Sequence, residues 1–444
     1  MNIELTKVCA GLAIAVAGIV VLARVWKVHA FFSLLLASLV YGLINGMSFQ
    51  DILLSIQTGF GALVAHIGLL VVFGSVLGML LEKSGSMHAI STGLLHAFGK
   101  RNSVTAITVI GAITGIPVFC DSGFIILSRL IPSVAARASA NPASLSLGLA
   151  SGLYTTHTLV PPTPGPLAAA ANLGAADHIG LVMVAGMAAS IPVTVVAFLL
   201  AKRFGNRITS TLTEETLQQP HRVAPWKAFL PLIVPILLIA LASLPAVSAS
   251  DTVLVKVIAT AGIPVIALAI GVVLALPMIP KPDRKALPGW MSEAIRDAGT
   301  ILLIVGAGGA FGAVIKSSNV AVMLKDYVSD SSAHGITFLM LAFLLTTILK
   351  TAQGSTTSAM IIASSLLAPL AGAAGLHSPL HVTALVMAVG AGAMTVSHVN
   401  DAYFWVISEF GKISGSDALR SYTIITLCQG ATALLVAIVL MLLA

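Results

Sequence analysis

Five ionisable residues stand inside apolar stretches of the sequence, where a charged or titratable group needs a reason. They are Asp121, Lys350 and Asp401, together with His157 and His398. A charge at the centre of a bilayer costs roughly 2.5–3.5 kcal/mol on insertion scales. An ammonium group can hold a carboxylate, a carboxylate removed from water can take up a proton, and histidine titrates near neutral pH. These side chains are therefore candidates for binding an organic anion and for moving protons.

Lys350 is followed at once by a turn rich in hydroxyl groups and small residues. Gly354, Ser355, Thr356 and Thr357 form the centre of this turn. A lysine beside exposed backbone N–H groups suits a carboxylate, and a helix that begins at such a turn adds its positive dipole. The alternative is a lysine that extends its amino group to the outer membrane interface.

Asp121 and Asp401 are the two candidates for carrying a proton. Asp121 lies at a predicted hairpin turn, where loss of water favours its protonated form. Alternatively, Asp121 forms a static pair with a basic group such as Lys350. Asp401 lies in the last interrupted helix, directly after Asn400 and three residues after His398.

A second set of polar residues is suited to hydrogen bonds with several hydroxyl groups of a polyol. The members are Thr156, His157, Thr163, His398 and Asn400. The structural alternative is that they satisfy backbone groups that are released where a helix breaks in the membrane.

The composition indicates that lipid surrounds most of the chain. Of the 444 residues, 57% are hydrophobic and 9% are charged, against about 25% charged in soluble domains. The net charge of +7 comes mainly from basic residues between apolar runs, which is typical of topology signals, so no nucleic-acid partner is expected. The three cysteines are widely separated and form no CxxC pair, and no GxxxxGK[ST] or HExxH motif occurs. We therefore expect no metal, no cofactor, no ATP-driven motor and no enzyme.

Hydrophobic windows predict an all-α polytopic membrane protein with about ten transmembrane helices and two re-entrant hairpins. Four proline residues between 161 and 166 cannot continue a helix, so this segment should line a cavity. The predicted elements are single helices near 8–23, 30–46, 61–82, 179–201, 227–245, 254–277, 298–315 and 420–443, hairpins at about 103–137 and 336–372, and broken helices at about 144–173 and 380–409.

The two halves of the chain resemble each other, which predicts two repeats, 1–205 and 227–444, joined by a cytoplasmic linker at 206–226. Gly74 matches Gly308, and His157 falls opposite His398. Basic residues orient the halves in opposite senses, with the linker in the cytoplasm. Inverted repeats with interrupted helices are typical of secondary transporters, whose site lies near the midplane. We expect a multi-pass protein of the bacterial inner membrane.

Several segments resemble the gluconate permease (GntP) family. They are residues 156–166, 308–311, 354–356 and 397–401 with 404–405. The resemblance spans almost the whole chain and implies a proton symporter for gluconate or a relative, with an elevator motion. A same-fold carrier of D-serine or a short hydroxycarboxylate, coupled to sodium, is the alternative.

The resemblance places a small organic anion, protons and membrane lipid among the partners, and it allows a homo-oligomer. The family often has His, Glu and Arg where Thr163, Asp121 and Lys350 stand. Because lysine offers a point charge and arginine a bidentate fork, these differences bear on the substrate.

Overall fold

The computed structural model describes most of the chain. The described residues are 10–11, 13–15, 17–19, 21–22, 25–86, 89–90, 102–128, 130–208, 223–242, 252–318, 335–398 and 401–444. Within them the secondary structure is helical, which confirms the predicted all-α fold class.

In the described parts of the chain, seventeen helices that begin at or after Ala30 carry the architecture, and short 3₁₀ turns connect some of them. They are α1 Ala30–Ile44, α2 Phe49–Lys83, α3 Ser103–Thr114, α4 Cys120–Ser128, α5 Ile131–Ala138, α6 Pro142–Leu159, α7 Pro164–Asn172, α8 Ile179–Gly205, α9 Pro225–Ala242, α10 Val253–Ala261, α11 Pro264–Ala275, α12 Leu287–Ser317, α13 Ile336–Gln353, α14 Thr356–Ala371, α15 Pro379–Met394, α16 Ala402–Phe410 and α17 Gly415–Leu442.

Three helices in the described parts of the chain are long and apolar enough to cross a membrane by themselves. They are Ala176–Gly205, Leu287–Ser317 and Gly415–Leu442. Two bent helix pairs, Phe49–Ala65 with Gly68–Lys83 and Val255–Ala261 with Pro264–Met278, raise the number to five if each pair is one span. Six shorter apolar helices accompany them, so the predicted number of about ten stays a prediction.

Helices α2 and α12 form the centre of a scaffold together with α1 and α11. At their crossing, Gly59 and Gly309 face each other so closely that a Cβ on Gly309 would lie 2.6 Å from the Gly59 carbonyl oxygen. Only glycine permits this approach of two backbones. Both helices start earlier than predicted, because polar first turns continue each helix beyond its apolar window; Ser48, for example, accepts a hydrogen bond from the Asp51 N–H.

One predicted single helix, near 254–277, is interrupted. Helices α10 and α11 meet at a bend of 78°. Gly262 ends α10, and Pro264 occupies the first turn of α11. A residue that precedes proline avoids the helical region, so Ile263 breaks the helix here.

Both predicted hairpin regions consist of helices joined by a turn. In the first, α3 and α4 are separated by residues 115–119. In the second, Gly354 ends α13 with φ of 76°, a conformation that glycine adopts without strain, and the Ser355 side chain caps α14 by accepting from the Ser358 N–H. The side of the membrane on which each hairpin opens, and the inversion of the repeats, stay predictions.

Both predicted broken helices are also interrupted. The first break separates α6 from α7 at residues 160–163, where Pro164 opens α7. The second separates α15 from α16 at residues 395–401. In it Val396 has φ of 57°, which is rare for a β-branched residue and indicates backbone strain.

Gly78 and Gly312, which the sequence comparison of the two halves aligns with each other, each contact one of the hairpins. A Cβ on Gly78 of α2 would lie 2.8 Å from the Pro117 carbonyl oxygen in the first hairpin. A Cβ on Gly312 of α12 would lie 3.4 Å from the Ser365 carbonyl oxygen in the second. Each scaffold helix thus packs against the hairpin of its own half through a small residue, as in close helix packing.

Candidate functional site

The proline-rich break and the second hairpin turn lie against each other. A Cβ on Gly165 would lie 3.7 Å from the Thr357 Cα. The Tyr154 hydroxyl, on α6, lies 2.8 Å from the Thr356 hydroxyl at the start of α14. Residues that are about 200 positions apart therefore share one site.

At the end of α7, the Asn172 side chain joins the same two halves. Its Nδ2 lies 2.8 Å from the Ser364 hydroxyl and 3.0 Å from the Ser365 hydroxyl on α14. Helix α7 and the second hairpin are thus connected by packing at one end and by polar contacts at the other.

A buried ion pair lies at the centre of the site. Lys350 Nζ, at the end of α13, donates to Asp401 Oδ2 over 2.6 Å, and the lysine side chain is 1% exposed. The same amino group donates to the Gly354 carbonyl oxygen over 3.1 Å. The Tyr154 ring centroid lies 6.0 Å from Nζ. An ammonium has three N–H donors, and these two hydrogen bonds use two of them.

Asp401 is also fixed by its own segment. Ser397 donates its hydroxyl to Asp401 Oδ2 over 2.6 Å, and the Tyr403 N–H donates to Oδ1 over 3.1 Å, so Asp401 is the N-cap of α16. Helix α17 holds the break in place: the Ser397 N–H donates to the Thr426 hydroxyl, and the Thr423 hydroxyl donates to the Ser397 carbonyl oxygen. The carboxylate is thus positioned by three donors and a braced backbone.

Asp121 forms no ion pair with Lys350 but interacts electrostatically with both members of the Lys350–Asp401 pair. It stands in the first turn of α4, and its buried Oδ1 has no hydrogen-bond partner among the described residues. The charges of Lys350 and Asp401 both act on it. The suggested static pair of Asp121 with Lys350 is wrong, because Lys350 pairs with Asp401 instead.

The predicted hydroxyl-binding residues differ in what their side chains already do. The Thr156 hydroxyl donates to the Ala112 carbonyl oxygen over 2.7 Å, and the Thr163 hydroxyl donates to the Val160 carbonyl oxygen over 2.7 Å. Both therefore serve the backbone at the hairpin and at the helix break. His157 is 6% exposed, and its Nδ1 has no hydrogen-bond partner in the part of the chain that the structure describes.

The other predicted site residues are distributed as follows. His398 lies in the second break and is partly exposed, and Asn400 lies outside the described residues. The turn residues Gly354, Ser355, Thr356 and Thr357 adjoin the ion pair, with Gly354 as its acceptor and Ser355 as the cap of α14.

Two adjoining pockets lie between the scaffold and the first hairpin. The first is a small pocket lined by Phe119, Gly74 and the proline-rich break, including Thr163. The second shares Pro117 and Phe119 with the first and reaches Asp297 on α12. The Phe119 ring centroid lies 6.0 Å from that of His157, which connects the pockets to the buried polar residues.

Three residues of the site were not predicted: Tyr154, Ser397 and Tyr403. Tyr403 donates its hydroxyl to the Ala150 carbonyl oxygen, and its ring stacks near that of Tyr154 at 5.6 Å. Tyrosine inside an apolar run gives no periodicity signal, although its hydroxyl usually needs a partner when buried. Ser397 was visible only as part of the 397–401 segment.

Among the residues that the structure describes, no group of His, Cys, Asp and Glu side chains is arranged to hold a metal ion. The polar groups of the site are the paired ammonium and carboxylate of Lys350 and Asp401, several hydroxyls, and the separate side chains of Asp121 and His157. Such an arrangement can bind an anion that also carries hydroxyl groups, and it can exchange a proton.

A family model described as GntP family permease matches residues 8–443. The chain is 30% identical to the inner membrane permease YgbN of Escherichia coli strain K12, over 96% of this chain and 97% of that protein. It is 29% identical to a high-affinity gluconate transporter of the same strain, over 94% of each chain.

Among solved structures, the chain is similar to the YdaH transporter of Alcanivorax borkumensis, whose topology is described as unusual. The TM-score is 0.69 at 16% sequence identity, over 93% of this chain and 96% of that chain. At this identity the likeness concerns the fold alone.

Proposed function

Since this chain belongs to the GntP family of permeases, whose members are membrane transport proteins and not enzymes, we propose that it carries gluconate or a related sugar acid together with a proton. The gluconate transporter among its relatives supports the substrate class. The inner membrane permease supports a multi-pass location in the bacterial inner membrane.

One observation carries the proposal most directly: Lys350 holds a carboxylate beside the turn at which α14 begins. That carboxylate is the side chain of Asp401, 2.6 Å away. A site that already binds a carboxylate with an ammonium has the chemistry needed for a sugar acid. In this proposal, the 354–358 turn adds hydroxyl and N–H groups around the acid.

The remaining part of a sugar acid is a chain of hydroxyl groups. His157 and His398, together with Asn400, would bind hydroxyls, and Thr156 and Thr163 would offer their acceptor lone pairs because their donors serve the backbone. Asp121 and Asp401 are the two groups suited to carry the proton. These roles are proposals.

For the transport cycle we infer an elevator motion. The hairpins and broken helices would slide along the scaffold of α1, α2, α11 and α12. Small residues at the contacts support this, since Gly78 and Gly312 present little side chain to the hairpins. The pockets beside Phe119 lie along the same boundary.

A carrier of D-serine or a short hydroxycarboxylate, with sodium in place of the proton, is the competing proposal. Counterflow in proteoliposomes with labelled gluconate, D-serine and lactate separates the substrates. We expect saturable gluconate exchange and uptake that a proton ionophore stops. Sodium-dependent uptake that survives the ionophore would remove proton coupling, and unsaturable flux would indicate a channel.

Two lysine variants, one at the site and one as a control, test the binding site itself. Lys350→Ala should abolish gluconate binding in calorimetry, because no other ammonium lies at the turn in the described structure. Lys227→Ala, which changes an exposed lysine, is the matched control and should bind as the unchanged protein does. Equal affinity in both variants would contradict the proposed role of Lys350.

A further inference from the structure

The Lys350–Asp401 pair has a consequence for how an anion can bind. Lys350 Nζ is enclosed by Asp401, by the Gly354 carbonyl oxygen and by the Tyr154 ring. Two of its three N–H donors are used, and because the lysine side chain is 1% exposed, the third is not open to an incoming carboxylate in this structure. It can reach Lys350 only by taking the place of the Asp401 carboxylate.

We propose that Asp401 is an internal substitute for the substrate's carboxylate, and that its displacement from Lys350 is the step that takes up the coupled proton. The proposal rests on the proposed function in one respect, that the ligand is an organic anion. It assigns the proton to one of the two carboxylates.

Burial supplies the reason for the proton. Asp401 is 5% exposed, and after displacement it would keep the Ser397 hydroxyl and the Tyr403 N–H but lose its only cationic partner among the described residues. An unpaired buried charge costs several kcal/mol, so the displaced carboxylate takes a proton. The Ser397 hydroxyl can rotate to accept a hydrogen bond from the acid O–H.

The charge balances in each state. In the empty site, the Lys350 ammonium and the Asp401 carboxylate sum to zero. In the loaded site, the ammonium pairs with the substrate carboxylate, and Asp401 is a neutral acid whose new O–H bond holds one proton delivered by hydronium from the bulk solution, which is left as water. One anion and one proton enter together, and the buried pair crosses the low-dielectric region neutral in both forms.

Other titratable groups face the pair and define what must be excluded. They are Cys120 and Asp121 from α4, Tyr154 and His157 from α6, Tyr403 from α16 and Tyr422 from α17, with His398 in the same break as Asp401. Asp121 is the competing carboxylate. It has no cationic partner in the described structure, so displacement of a partner cannot drive its protonation.

The test counts protons absorbed on binding, by calorimetry of the full-length protein in buffers of different ionisation enthalpy. The probes are gluconate, lactate and D-serine. We expect one proton per bound anion, and an affinity that falls about tenfold per pH unit in the alkaline range, as one-proton linkage requires. Binding of gluconate without proton uptake overturns this proposal but leaves anion binding standing. Proton-coupled binding of lactate or D-serine alone supports it while removing gluconate, and binding of none of the three overturns both.

Two variants assign the proton. Asp401→Asn keeps a side-chain acceptor for the cap of α16 and should bind the anion with no proton uptake and no pH dependence. Asp121→Asn should still absorb one proton, and Asp177→Asn, at an exposed site, should match the unchanged protein. The reverse pattern for the first two assigns the proton to Asp121 and overturns the proposal.

If Asp401→Asn does not fold, infrared difference spectra decide with Asp401 intact. Anion binding should produce a carboxylic-acid C=O band that shifts when aspartate is labelled with ¹³C. The band should persist in Asp121→Asn. Absence of the band, or its loss in Asp121→Asn, overturns the proposal.

Discussion

Removing one partner of the Lys350–Asp401 pair should destabilise the fold at least as much as removing both. At 2.6 Å and an effective dielectric constant of about 20, two unit charges attract by about 6 kcal/mol. Desolvation offsets part of this, and loss of one buried partner typically costs about 3–5 kcal/mol. Lys350→Met and Asp401→Asn should each show a loss of that size in the free energy of unfolding.

The double variant Lys350→Met with Asp401→Asn leaves no unpaired charge. We expect it to be no less stable than either single variant, which gives a coupling energy of about 3 kcal/mol or more in the cycle. Unfolding by denaturing detergent in mixed micelles measures all four proteins.

The exposed pair of Lys412 and Glu409, 3.3 Å apart, supplies the matched control. Lys412→Met should change stability by less than about 1 kcal/mol. If the losses at Lys350 and Asp401 simply add, the two side chains do not stabilise each other, and the reasoning on the ion pair fails.

Two further predictions concern close contacts away from the charges. Tyr154→Phe removes the hydrogen bond to Thr356 and should lower the free energy of unfolding by about 0.5–1.5 kcal/mol. Tyr422→Phe should not lower it, because the Tyr422 hydroxyl has no partner among the described residues, and equal effects in the two denaturation curves would contradict this. Gly309→Ala should lower the free energy of unfolding by about 1–3 kcal/mol, because its Cβ would collide with the Gly59 backbone at the helix crossing. Gly299→Ala on the same helix should be tolerated, because its Cβ would meet no described atom within 4 Å. Thermal unfolding that ranks the two variants the other way would refute the crossing.

The sequence could predict where helices stop but not what their ends contact. The proline residues at 161–166 and the small polar residues after Lys350 predict interruptions of the helices, because such residues do not continue a helix. Both interruptions are present in the structure. The starts of α2 and α12 were missed because a hydropathy window ends where charged residues begin, while the helix continues into polar turns.

The partners inside the site depend on packing that no local pattern encodes. Lys350 and Asp401 were each recognised as costly in a membrane, yet their pairing joins residues 51 positions apart across two interrupted helices. Tyr154 reaches Thr356 only because α6 packs beside the second hairpin. The bend before Pro264 could have been predicted locally, because Gly262 and Pro264 flank it. It was missed because residues 254–277 together have the length of one membrane-spanning helix.

The Asn172 amide joins the two halves of the molecule through side-chain hydrogen bonds. By contacting Ser364 and Ser365 it fastens the first half's broken helix to the second half's hairpin, and Gly165 packs beside Thr357 at the other end. This junction is built from side chains and does not depend on covalent continuity of the chain. Two fragments produced from a gene cut within residues 206–226 should therefore find each other in the bilayer and restore uptake in cells that lack the intact carrier.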